Sequence, residues 1–451
     1  MLGINSINQR LRGFGREAWA WTSYDFANSA FATSVTAVIF SKYYAGVIAG
    51  GARGTDFHIL GFDFNIPGAS LFQLSVLIGT VLTIFISPFV GVFADMTGSK
   101  KKLLIVVTTV GCFFTAGLAF INPGDVLPGG LFYGIALCMF LLALNLYNAF
   151  LPQICSQRDI GLVSGFSWAL GYMGGGICLL LNLIMLENPG ILGFEEGTFG
   201  VSHVMLSVAL WWWLFALPTF VGVKERPPRR DINSQTARPR QVWKNLVQTF
   251  KQARKYKQLW LFLIAYLFFT NGIETTISTA SIFGDQELGM STSSLITLFL
   301  IVQFTAFPGA ILFGVLVDTY GNKKVLSLAL SVWIVALIWV YNLGLFTDAV
   351  TEFYFAAVMI GIVLGGSQAS ARSLFASFTP PARSAEFFSF YGISGRLASV
   401  MGPLTFAAVN IATRSLRHSI IAMVVFFVIG LIILYRVNEE EGIQAAALES
   451  Q

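Results

Sequence analysis

Runs of apolar residues long enough to cross a bilayer recur from one end of this sequence to the other. Crossing the hydrocarbon core takes about 20 such residues in a helix. Lipid offers the backbone no hydrogen-bond partner, so each span has to be helical and the helices have to bundle. Composition agrees. Of the 451 residues, 55% are hydrophobic and 11% charged, and the mean hydropathy is +0.71. Soluble domains carry about 25% charged residues. The fold class is therefore all-α and polytopic. Twelve transmembrane helices are expected, roughly over 18–43, 70–95, 103–121, 130–154, 162–186, 203–222, 258–283, 293–317, 325–346, 353–376, 386–411 and 418–436.

Lysine and arginine set the orientation. With both ends cytoplasmic, that side holds Arg10, Arg12, Arg16, Lys100, Lys101, Lys102, Arg158, Lys323, Lys324, Arg383 and the 223–257 loop, which alone has 11 Lys or Arg against two acids. The other side keeps Lys42, Arg53, Arg414 and Arg417. Cytoplasmic loops carry such an excess, so the net charge of +5 is a topology signal and not a nucleic-acid site. The expected location is the plasma membrane, in a bacterium the inner membrane. The chain divides into a six-helix half (1–222), a cytoplasmic linker (223–257), a second six-helix half (258–436) and a cytoplasmic tail (437–451). In the linker, ERPPRRDINSQTARPR reads as flexible, and QVWKNLVQTFKQARKYKQ as a basic amphipathic helix on the anionic leaflet.

The first residues are polar and basic, and the segment behind them is too long and too polar for a cleavable leader. Cys112, Cys138, Cys155 and Cys178 have neither CxxC nor zinc-ligand spacing. Walker A, HExxH and GxSxG patterns do not stand out, and His58, His203 and His418 fall in loops or at span edges. No enzyme activity, cofactor or metal site is expected, and the chain reads as a monomer.

An internal repeat organises the rest. GVFADMTGSKKKLL (91–104) returns as GVLVDTYGNKKVL (314–326). At the same spacing Asn145 meets Gln368, and one residue further on the pair Gly171-Tyr172 meets Gly395-Arg396. Two parallel halves joined by a basic loop is a secondary-transporter architecture.

The GxxxD…GxKK loop, present between helices 2 and 3 and again between helices 8 and 9, resembles the signature loop of the major facilitator superfamily. That resemblance implies a latch. Gly91 and Gly314 would permit close helix packing, and Asp95 and Asp318 would each face the start of a helix in the opposite half, where an anion is favourable by about 0.3–1 kcal/mol. The segments YDFANSAF (24–31), SGFSWALGYMGGG (164–176) and GGSQASARSLFASFTPPARSAEFFSFYGISGRLASVMGPL (365–404) are similar to the branch of the superfamily that includes the fungal vacuolar amino-acid effluxer and its bacterial relatives. Where that branch implies an Asp-Gly pair in helix 7, this chain carries Asn271-Gly272, with Glu274 nearby.

Polar residues inside the spans mark a candidate pathway for solute and proton. At about 100° per residue, Trp21, Asp25, Asn28, Ser29, Ala32 and Thr36 share one stripe of helix 1, and Asn271, Glu274, Thr275 and Ser278 share one of helix 7. The acid and amide exchange places between the two. The half-repeat places these stripes across a central cavity from each other. Counted from the expected span ends, Asp25 lies about 10 Å deep, Asn28 and Arg396 about 15 Å, and Glu274 about 24 Å. A charge at such depth costs at least about 2.5–3.5 kcal/mol and so faces a cavity or a partner.

Arg396 is expected to hold a solute carboxylate, or to pair with Asp25 when the site is empty. Carboxylates taken partly out of water are suited to exchanging a proton near neutrality. Asn145, Asn148, Gln368 and Arg372 lie on helices 4 and 10, which line the cavity in the superfamily; Arg372, near a helix end, could snorkel. Tyr172, the counterpart of Arg396, could stack on the solute. The expected function is secondary transport of a small polar or zwitterionic solute, such as a neutral amino acid, with the proton as coupling ion and lipid as surroundings. Export of amphipathic compounds, and a non-transporting lipid-moving or sensor protein on the same fold, stay open at this level.

Overall fold

The computed structural model describes residues 15–225 and 256–448, apart from 52, 60–61, 67, 157, 189, 191–192, 194, 196–198 and 414. The proposed amphipathic linker helix lies almost wholly outside the described residues. Among the described residues, twelve long helices cross the molecule: α1 (Arg16–Ile48), α2 (Gly68–Thr97), α3 (Lys100–Phe120), α4 (Val126–Ile154), α5 (Ile160–Glu187), α6 (Val201–Gly222), α7 (Lys257–Gln286), α8 (Thr292–Tyr320), α9 (Asn322–Tyr341), α10 (Ala349–Ser377), α11 (Ser384–Thr413) and α12 (Leu416–Tyr435). Eleven of them are long and apolar enough to span a membrane by length and composition; α11, which carries Glu386 and Arg396, is the more polar one.

Each expected span falls on one helix, with ends that differ by a few residues. The expected helix 9 overran most, because the chain leaves the helix at Tyr341 and turns through Gly344 at φ +95°. Two elements were not anticipated. An antiparallel hairpin, β1 (Thr55–Ile59) and β2 (Phe62–Ile66), pairs Thr55 with Ile66 and Ile59 with Phe62 in the α1–α2 loop. The tail expected at 437–451 contains a helix, α13 (Glu439–Leu448), whose Glu439 accepts the backbone N–H of Asn322 (2.9 Å) and Lys323 (3.1 Å) and so caps α9. Glu225, read as the start of the flexible linker, caps α3 in the same way through Lys101 N–H at 2.9 Å.

The halves cross where small residues remove side-chain bulk. A Cβ on Gly91 of α2 would stand 2.5 Å from the Ala385 carbonyl oxygen of α11. One on Gly314 of α8 would stand 2.7 Å from the Gly161 carbonyl oxygen of α5. Contacts this close bring the α2–α11 and α5–α8 backbones together and fix the end of the molecule that carries the basic loops, called here the basic end. Within the N-terminal half, α1 lies against α5 because Gly174 and Gly175 leave room for Phe26, Ser29 and Thr33. Just past Asp25 and Ser29, α1 widens into π turns over Phe31–Val38, a distortion often found at functional sites.

Candidate functional site

Polar contacts between the halves are layered from the basic end inward. Outermost are the two repeated loops. Asp95 accepts the N–H groups of Ala385 (3.3 Å) and Glu386 (2.9 Å) at the start of α11, and Lys100 stands 2.9 Å from it. Asp318 accepts those of Gly161 (3.0 Å) and Leu162 (3.2 Å) at the start of α5. Each carboxylate thus meets orphan donors and the positive end of a helix in the other half. Gln153 and Lys100 add bonds to the Pro381 carbonyl (2.7 Å) and the Ser384 hydroxyl (2.7 Å).

Deeper lies a buried cluster around Arg372 of α10. Its guanidinium donates to Asp25 of α1 (2.8 Å), to the Ser164 hydroxyl (3.0 Å) and carbonyl (2.7 Å) of α5, and to Asn148 of α4 (3.3 Å). Four acceptors fill most of the fork. Ser167 donates to the same Asp25 oxygen at 2.7 Å. The side chains of Arg372 and Asp25 are 2% and 6% exposed. At such burial, removing one partner strands the other charge, a loss of about 3–5 kcal/mol. Arg372 also lies over three aromatic rings, Trp168 (5.1 Å), Trp21 (5.3 Å) and Tyr147 (6.0 Å to the ring centres).

Two sequence expectations are corrected here. Asp25 pairs with Arg372 and not with Arg396, because α11 packs on α2, α4 and α7 and carries Arg396 away from α1. Arg372 does not snorkel; its helix is covered on all sides at that level, from Gly365 to Ser377 save a half-buried Gln368. The run of small residues around it, GGSQASARS, was the readable signal: such a helix is packed by protein, so a long charged side chain there has no route to the lipid interface.

Further in, the Tyr172 hydroxyl donates to Gln368 across the halves. Asn145 donates to Ser87 of α2 (2.8 Å) and packs against Gly392 of α11, while Ser389 of α11 donates to the Ser87 carbonyl (2.9 Å). Ser29 sits at the crossing of α1 with Gly171 and Gly175. Asn28 is 2% exposed, and its Nδ2 has no acceptor among the described residues.

The mirrored stripes of helices 1 and 7 have separate roles. Asp25 reaches α10, whereas Asn271 accepts the Gly402 N–H of α11 at 2.6 Å, within its own half. Glu274 and Arg396 are half-buried and both lie near Tyr266 of α7; Arg396 also lies near Tyr133 of α4. Among the described residues Arg396 has no hydrogen-bond or ion-pair partner. The arrangement closes the basic end through bonds that separate only if the halves move apart, and leaves Arg396 unpaired among the described residues.

Comparison with known proteins places this geometry. The family model described as vacuole effluxer Atg22 like matches residues 15–447. The chain is 31% identical over 438 residues to an uncharacterised MFS-type transporter, YxiO, of Bacillus subtilis (strain 168), covering 95% of this chain and 96% of that one. It is 25% identical over 429 residues to autophagy-related protein 22 of Saccharomyces cerevisiae (strain S288c), covering 84% of this chain and 79% of that protein. Among solved structures, the proton:xylose symporter XylE aligns with a TM-score of 0.70 at 14% identity, over 97% of this chain and 98% of its own. The human organic anion transporter MFSD10 aligns at 0.69 and 13%, over 93% and 99%. At those identities the solved structures show the fold.

Proposed function

The chain belongs to the Atg22-like family of vacuole effluxers, within the major facilitator superfamily of transporters, and from that premise we propose that it carries a small zwitterionic solute, a neutral amino acid in the first instance, by proton-coupled alternating access. The observation that carries this reading is the Asp25–Arg372 bond. It joins the two halves inside the membrane-spanning region, so the basic end opens only when it breaks. The excess of Lys and Arg in its loops supports a cytoplasmic position for that end, and the latch carboxylates Asp95 and Asp318 hold it shut from outside the cluster.

Arg396, near Tyr133 and Tyr266, offers a donor fork that attracts the solute carboxylate on the way in, before the solute reaches α1. Tyr172 and Gln368, already bonded to each other, form the next barrier toward the cytoplasm. The intramembrane carboxylates Asp25 and Glu274 are the candidates for the coupling proton: taking one up neutralises a charge that otherwise holds a cation in place.

A second reading, export of amphipathic compounds, draws on an apolar cavity of about 90 Å³ inside the C-terminal half, lined by Leu298, Phe299, Val302, Val340, Phe353 and Ala357 among others. That cavity lies away from the charged cluster, so the zwitterion reading accounts for more of the buried polar groups.

The test is counterflow of amino acids in proteoliposomes, with Arg396→Ala and Asp25→Asn beside the wild type over a series of external pH values. Both variants are expected to lose at least tenfold in rate, and Asp25→Asn to flatten the pH profile. Full flux with unchanged pH dependence in both would sink the mechanism.

A further inference from the structure

The groups that surround the Arg372 guanidinium form a box made entirely by the N-terminal half. Asp25 and Trp21 come from α1, Tyr147 from α4 and Trp168 from α5, while the cation comes from α10. The box is held by bonds that do not involve Arg372. Trp21 Nε1 donates to the Tyr147 carbonyl (2.9 Å), and the two rings stack at 4.4 Å. The Tyr147 and Ser167 hydroxyls are bonded, and Ser167 donates to Asp25 at 2.7 Å. Tyr24 stacks on Tyr147 (4.9 Å) and its hydroxyl meets Thr108 at 2.6 Å. When the halves part, Arg372 leaves with α10 and the box stays behind, already shaped, with its carboxylate unmatched.

We propose that this box is a cation subsite occupied in turn by Arg372 and by the ammonium of the solute: by Arg372 while the basic end is closed, by the ammonium when it is open. The inference rests on the transporter reading above and adds the position where the solute's cation is held. Three aromatic faces beside one carboxylate favour an organic cation over a small inorganic ion, since the ring faces attract the charge and the carboxylate accepts N–H groups that an inorganic ion does not carry. Two neighbouring donors point to a ligand with an oxygen close to its cation. Asn28 Nδ2, one helical turn from Asp25, and Trp168 Nε1 are buried without an acceptor among the described residues. An α-amino acid offers both groups two bonds apart. Opening from the cytoplasm then exchanges one cation for another, so the closed and solute-loaded states are both charge-matched and the empty open state is disfavoured.

The test uses the purified full-length protein in nanodiscs. Arg372→Ala vacates the box in every state, and methylguanidinium and methylammonium serve as probes, followed by tryptophan fluorescence. Saturable binding is expected in Arg372→Ala, at least tenfold weaker in wild type and in Arg372→Ala/Asp25→Asn. Sodium and potassium chloride at equal ionic strength are expected to give no saturation. Equal binding to Arg372→Ala and wild type, no loss with Asp25→Asn, or saturation by potassium alone would each overturn the proposal.

A second measurement does not depend on Arg372→Ala folding. In proteoliposomes, Trp168→Leu is expected to raise the ratio of cytoplasmic-side to external-side KM for amino-acid counterflow at least tenfold; an unchanged ratio overturns the proposal. If the wild type moves no amino acid, the transporter reading fails, and the fluorescence titration still decides whether the box holds a cation.

Discussion

The two halves share a plan but fill it differently. Inside the N-terminal half, an aromatic set of Phe31, Phe40, Tyr44, Phe72, Tyr133, Phe140 and Trp212 packs ring on ring, none more than 8% exposed. The C-terminal half has the apolar cavity of about 90 Å³ between α7, α8, α9, α10 and α12. The polar groups diverge in the same sense. The N-terminal half builds a tight anionic box around Asp25, whereas Asn271, in the corresponding place on α7, is fastened to the Gly402 backbone of its own half. The repeat therefore preserves the scaffold, namely the loops, caps and crossing glycines, and the departures from it carry the chemistry. One half offers a rigid box, and the other brings the cation that fills it.

The largest test of that contrast is to remove one side of the shared pair. Asp25→Ala strands a buried arginine and is expected to cost about 3–5 kcal/mol, read as a lowered Tm in detergent. The double variant Asp25→Asn/Arg372→Gln is expected to recover part of that loss. A double variant as unstable as the single one would mean that the pair is not the unit described here.

Next in size is a comparison of interiors. Ala136→Leu, within the filled aromatic region of α4, is expected to destabilise by about 1–3 kcal/mol. Ala357→Leu, on the cavity wall of α10, is expected to stabilise by about 0.5–2 kcal/mol. Equal losses at both sites would show that the cavity has no room to spare and would erase the difference between the halves.

A smaller effect is expected at the latches. Asp95→Asn and Asp318→Asn each weaken the attraction to a helix N-terminus by about 0.3–1 kcal/mol. Alkylation of a cysteine placed at Ala369, buried behind both loops, is expected to quicken by about two- to fivefold in each variant, since 1.4 kcal/mol is about a factor of ten. A change in only one would break the symmetry of the two loops. An effect of similar size is assigned to the caps within each half. Glu225→Gln and Glu439→Gln are expected to cost about 0.5–1 kcal/mol in Tm measurements, the scale of a lost cap, without altering that alkylation rate.

Much of the scaffold was readable in the residues. A bilayer demands about 20 apolar residues per helix, so the spans announce themselves locally. The latch loops are short and repeated, and the helix ends they meet are where an unpaired N–H attracts an anion. Asp25 stood out because a carboxylate in an apolar segment needs a partner. Its partner did not, for the two residues lie 347 positions apart and on different halves. The expected partner, Arg396, had the right charge and depth but sits on a helix that packs elsewhere. The mirrored pattern of helices 1 and 7 pointed to one shared chamber, yet helical periodicity gives only the face of a helix and not which neighbour covers it. The tail helix escaped notice because its role is a cap on α9, a contact with no periodic signature.

By itself, then, the sequence determined the helical class, the number of spans, that the basic loops share one end and the need to neutralise Asp25, because length, hydropathy and burial of charge are properties of single segments. Only the tertiary structure decided which cation meets Asp25, that three aromatic rings lie against that cation, and that one half is filled where the other has a cavity. Those outcomes depend on how helices from the two halves cross, and crossing is set by the small residues at the contacts acting together.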